Sequence, residues 1–158
     1  MAHLSAPKPP HPELPVLYNL DGVVGASPAT NSREDVMFVQ FAFKVIADSP
    51  RPTTSPDVLK AAKTVRVTGR MDNNTITAIR TLQANSKRAT GNISKVVDGR
   101  VSPVRGGYSY GGGALWTICN LNNSLQDRYW KFWPRIDNIP GCPQELKTMV
   151  KRQVAGTM

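Results

Sequence analysis

Val67-Thr68-Gly69-Arg70-Met71-Asp72-Asn73-Asn74-Thr75 opens a unit that runs on into Ala78, Ile79, Leu82 and Gln83. Its opening returns about 30 residues later as Val97-Asp98-Gly99-Arg100-Val101-Ser102-Pro103. Repetition at that period builds small stacked units rather than one large catalytic fold, which points to a binding or structural module. Within the first copy, the glycine offers a turn, Asp72 or Asn73 caps a helix start, and Ile76, Ile79 and Leu82 give that helix one apolar stripe.

Upstream of this unit, Ser32-Arg33-Glu34-Asp35 reads as a capping-box-like helix start. Val36, Val39, Phe43 and Ile46 follow at spacings of three and four. Pro50, Pro52 and Pro56 stop that helix, a short helix fits Asp57 to Thr64, and Val65-Arg66-Val67 reads as strand-like. Downstream, Arg105 to Gly113 is too rich in glycine for a helix, whereas Leu115, Ile118, Leu121, Asn122 and Leu125 restore helical spacing from Ala114 to Gln126. Tyr129-Trp130-Lys131-Phe132-Trp133-Pro134 then packs aromatic residues closely, and Gln144 to Val154 reads as a last, basic, exposed helix.

Five prolines in the first fifteen residues forbid a helix there, so residues 1–31 read as an extended arm, with Val16-Leu17-Tyr18 a short strand and Asp21-Gly22 a turn. A pre-extended arm loses little entropy on docking, and this one is expected to lie along a neighbouring subunit, giving a homo-oligomer or a contact with other subunits of a particle. The N-terminus lacks the uninterrupted apolar core of a secretory signal. The most apolar window, Val36 to Ala47, holds Gln40 and Lys44 and falls well short of a bilayer span.

At 158 residues with 40% hydrophobic content, the chain holds one domain with a core and leaves no room for a second. Of the net charge of +9, the stretch from Lys60 to Arg105 carries ten basic residues against Asp72 and Asp98, so the basic character is regional. Such a face meets nucleic acid, an anionic envelope or an acidic protein. No zinc-finger spacing, aromatic strand motif or basic zipper is present, which speaks against nucleic acid. His3 and His11 lie in the arm, leaving no core histidine as general base or metal ligand, and neither Cys119 nor any serine has a histidine partner. Cys119 and Cys142 read as reduced, partly buried thiols, with a disulfide between them not legible from spacing. These absences lead us to expect no catalytic residues, no metal and no cofactor.

Taken together, Val36, Val39, Gln40 and Phe43, then Val67, Gly69, Met71, Thr75, Ala78, Ile79, Leu82 and Gln83, then Val97, Asp98, Gly99 and Val101, carry a resemblance to a known family. Over residues 32–126 the sequence resembles the small three-helix peptidoglycan-binding domain attached to bacterial and phage cell-wall hydrolases. The resemblance implies a mainly α fold of three helices with short strands and turns, flanked by the arm of residues 1–31 and an aromatic and basic extension at 127–158. It implies peptidoglycan as a partner, with Arg70, Arg100 and Arg105 facing anionic groups and Tyr108, Tyr110 and Trp116 stacking on sugar rings. Two of these groups have ordinary alternatives: Trp116 suits a helix core, and Tyr108 and Tyr110 suit a subunit interface. The expected role is a non-enzymatic structural component of a bacteriophage virion or phage-tail-like injection machine, assembled in the cytoplasm without a signal peptide. A free bacterial peptidoglycan-binding accessory protein is the alternative.

Overall fold

The computed structural model describes residues 2–6, 16–90, 96–104 and 117–157, and the chain is mainly helical. In order come β1 (His3–Ser5), β2 (Leu17–Asn19), β3 (Val24–Gly25), α1 (Arg33–Asp48), α2 (Pro56–Ala62), α3 (Asn73–Thr90), β4 (Arg100–Val101), α4 (Thr117–Arg128), a 3-10 turn (Ile136–Asn138) and α5 (Gln144–Thr157). Two small antiparallel pairs join β1 to β2 and β3 to β4, with Leu4 opposite Tyr18 and Val24 opposite Val101.

α1 is the axis of the molecule. From Asp35 to Ile46 only Lys44 escapes burial, so this helix is apolar on all sides and must be enclosed. α2, α4, α5 and β3 pack around it, and α3 lies on α2. Its start departs from the expected capping box, because the Ser32 side chain makes no capping bond. Asp35 turns inward instead and accepts hydrogen bonds from the Asp21 and Gly22 backbone N–H groups, both at 3.2 Å. Burial raises the Asp35 pKa above the usual carboxylate value.

The short strands leave much backbone without a ladder partner, and side-chain amides take that place. Asn122 of α4 accepts from the Tyr18 N–H at 2.7 Å and donates to the Tyr18 carbonyl at 3.0 Å, completing the free edge of β2. Asn19 pairs in the same way with both backbone groups of Val104, and Asn31 with those of Gly25. Val65-Arg66-Val67 alternates in burial as a strand would, yet it pairs with no strand among the described residues.

The N-terminal expectation needs correction. Ala2, Leu17, Tyr18, Leu20 and Val24 are buried in the same core as the helices, so the described parts of residues 1–31 fold onto their own chain. All five prolines fall at 7–15, outside the described residues, whereas residues 16–20 are apolar enough to enter a core. Tyr18 packs its ring against Phe38, 5.3 Å between centroids, and edge-on against Trp133 at 5.8 Å.

The C-terminal helix is also corrected. α5 exposes Lys151 and Arg152 on one face, but Leu146, Met149 and Val150 on the other are buried against α1 and the 3-10 turn. Gln153 accepts from the Leu4 N–H at 2.5 Å and donates to the Ala2 carbonyl at 2.6 Å, tying the two ends of the chain together. One core therefore runs from Ala2 to Val150. Among the described residues, no helix is long and apolar enough to cross a membrane.

Candidate binding cleft

The repeated turns are built alike. Gln40, fully buried on α1, accepts from the N–H groups of Thr68 and Gly69, each at 2.9 Å, and donates to the Arg70 carbonyl at 2.8 Å and the Thr75 hydroxyl at 3.2 Å. On α3, Gln83 accepts from the Gly99 N–H at 3.0 Å and donates to the Arg100 carbonyl at 2.9 Å and the Thr117 hydroxyl at 3.2 Å. Gly69 and Gly99 have φ of +76° and +72°, a region side chains resist. Each unit is thus a helix bearing a buried glutamine, a turn that the glutamine grips, and a threonine of the next helix closing on the same amide.

This geometry places two of the sequence-predicted residues. Arg70 is exposed on the first turn, with its backbone N–H and carbonyl held by hydrogen bonds. Arg100, at the matching place in the second, is half-buried and directs Nε toward Asp98 at 3.4 Å, so its charge is partly offset. No hydrogen bond or ion pair among the described residues joins the two. Arg105, Tyr108, Tyr110 and Trp116 lie outside the described residues.

A cleft that sequence reasoning missed lies elsewhere, where the segment after α1 meets α2, α3 and α4. It has a volume of about 550 Å³ and is lined by Arg51, Thr53, Thr54 and Ser55 from the segment after α1 and by Asn120, Ser124, Asp127 and Arg128 from α4. Asn85 of α3 and the buried Ile46, Val58 and Leu82 also line it. Spacings of four along α4, from Asn120 to Ser124 to Arg128, put those side chains on one face.

Arg128 is fixed in place by Nε donating to the Ser49 carbonyl at 2.7 Å, Nη1 to the Ser124 carbonyl at 3.1 Å and Nη2 to the Thr54 hydroxyl at 3.0 Å. Arg51 donates to the Asp127 carbonyl, and its own N–H meets the Thr54 hydroxyl at 2.9 Å. Partial burial, and then the neighbouring Arg51 charge, hold Arg128 below the ordinary guanidinium pKa. Neither arginine forms an ion pair with a carboxylate among the described residues. Just after Arg128, the Tyr129 hydroxyl meets the Ser49 hydroxyl at 3.3 Å, and Tyr129 stacks on Phe132. Trp130 and Phe132 are 67% and 41% exposed, with Lys131 over the Trp130 ring at 5.6 Å.

Two thiols complete the inventory of reactive groups. Cys119 and Cys142 form no disulfide and are both buried, and burial pushes both thiols up to about 12, so they are protonated at neutral pH. Among the described residues, no group of three or more His, Cys, Asp or Glu is placed to hold a metal. Comparison with family models, with curated proteins and with solved structures finds no match to this chain.

Proposed function

We propose that this chain is a non-enzymatic module directed at the cell wall, built on the three-helix peptidoglycan-binding plan, and that it serves as a structural component of a bacteriophage virion or a phage-tail-like injection machine. The duplicated glutamine-gripped turn carries the reading. Gln40, Gly69 and Thr75, with Gln83 and Gly99, are among the residues on which the sequence resembles that family, and they do the building in both copies.

The surface is consistent with an anionic polymer as partner, since Lys60, Lys63, Arg66, Arg70 and Arg80 are all exposed. Exposed Trp130 and Phe132 suit either a sugar ring or a neighbouring subunit. A second reading, a free bacterial accessory protein that binds peptidoglycan, gains from the N-terminal segment. Its apolar residues Ala2, Leu17, Tyr18, Leu20 and Val24 are buried in the chain's own core, so they need no neighbour to cover them.

Cosedimentation of the purified protein with isolated cell-wall sacculi, alongside its mass in solution, tests both readings. Wall binding by a ring or higher assembly supports the virion component. Wall binding by a monomer supports the accessory protein. Absence of wall binding, or release of soluble fragments from labelled wall, overturns both.

A further inference from the structure

We propose that the cleft between Arg51 and Arg128 binds a carboxylate carried on an amide-rich chain, the free C-terminus of a short peptide being the simplest case. This goes beyond cell-wall binding and stands on the cleft alone.

Size sets the first limit. A space of about 550 Å³ lies in the range that encloses a small ligand, not a polymer strand or a protein surface. Charge sets the second. Arg51, Arg128 and Asp127 all line the cleft, two positive charges against one negative, which matches a monoanion better than a doubly charged phosphate.

Donor geometry sets the third. Arg128 spends three of its guanidinium donors on Ser49, Ser124 and Thr54, and those bonds orient it without neutralising it, because all three acceptors are uncharged. Arg51 spends one on the Asp127 carbonyl. The remaining N–H groups of a pre-oriented pair suit the two oxygens of a carboxylate. Beside them Asn85 and Asn120 offer both donors and acceptors, the complement of peptide groups rather than of a bare inorganic ion. A bound carboxylate offsets the repulsion between Arg128 and the neighbouring Arg51 charge.

The experiment titrates the full chain with N-acetyl-Ala-Ala, with the same peptide as its C-terminal amide, and with inorganic phosphate, following the side-chain amide signals of Asn85 and Asn120 by NMR. The acid is expected to shift those signals, with the amide and phosphate each at least about tenfold weaker. Arg51→Gln should weaken the acid by about tenfold while leaving the amide unchanged. Arg51 is the chosen variant because Arg128 also closes the end of α1 and its loss perturbs folding. Arg128→Lys, which keeps the charge and loses the fork, should weaken the acid too in any sample whose unfolding midpoint is retained.

Equal response to acid and amide, stronger response to phosphate, or no shift at Asn85 and Asn120 up to about 10 mM acid overturns the proposal. The cell-wall reading fails separately. Peptide binding without sacculus binding removes that reading and keeps this site, whereas sacculus binding that Arg51→Gln leaves intact, with no peptide shift, does the reverse.

Discussion

The two gripped turns share a plan and differ in what surrounds them. At Thr68-Gly69-Arg70, the Thr68 hydroxyl accepts from the Arg70 N–H at 3.1 Å, and the turn is braced from outside by Arg33, which donates to the Thr68 carbonyl at 3.2 Å. At Asp98-Gly99-Arg100 a carboxylate plays the hydroxyl's part, accepting from the Arg100 N–H at 2.9 Å and from Gln83 at 3.2 Å. The second turn also pairs with β3, where the Ala26 N–H meets the Gly99 carbonyl at 3.0 Å. One turn is braced by a surface arginine and the other by backbone pairing, so the same motif tolerates quite different neighbours. The common element is the buried amide, whose donor and acceptor match one turn at once.

The comparison breaks hardest at Gly25. A Cβ there would sit 2.1 Å from the Gly99 carbonyl oxygen, a backbone atom that cannot swing aside. Gly25→Ala should cost at least about 3 kcal/mol in urea unfolding and should disturb the amide signals of residues 98–101 before those of 68–71. Equal disturbance of both turns would show that they are not independent.

The glutamines come next. Gln40→Ala strands the buried Gly69 N–H and three further partners, for an expected loss of about 3 kcal/mol. Gln83 is slightly more exposed and accepts one backbone N–H instead of two, so Gln83→Ala should cost about 2 kcal/mol. The reverse order would mean that Asp98 contributes more to the second turn than the amide does.

Smaller again is Gly69→Ala beside Gly99→Ala. In both, the added Cβ meets an arginine side chain, Arg33 or Arg80, at 2.9 Å, and the positive φ adds its own strain of about 1–2 kcal/mol each. A large gap between the two in thermal unfolding would place the difference in the arginines.

The least effect is electrostatic. Arg33 grips Glu145 through two hydrogen bonds, 3.0 and 2.7 Å, and that bond holds the Glu145 carboxyl below its ordinary pKa. Because the folded value is depressed, the stabilisation is present above the unfolded carboxylate pKa and is lost as pH falls through the folded one. Glu145→Gln should remove that part of the acid-side slope of stability and leave the second turn untouched. An unchanged slope refutes the brace.

Apolar residues spaced at three and four made α1, α3 and α4 legible. The turn glycines and the Asp72 cap were equally legible, because glycine at positive φ and a carboxylate accepting the Thr75 N–H at 2.7 Å are local chemistry. The Arg51 and Arg128 cleft was not. Its two cations come from segments far apart in the chain, and neither stands in any pattern until the end of α1 and the end of α4 meet at Ser49.

By itself, then, the sequence determined a mainly helical chain with two matching turns and a regional positive charge, since these follow from residue type and short-range spacing. Only the tertiary structure decided that Gln40 and Gln83 grip those turns, that α5 and the described N-terminal strands enter the core, and which cations line a cleft. Long-range burial and side-chain-to-backbone hydrogen bonds settle such matters, and neither leaves a period in the chain.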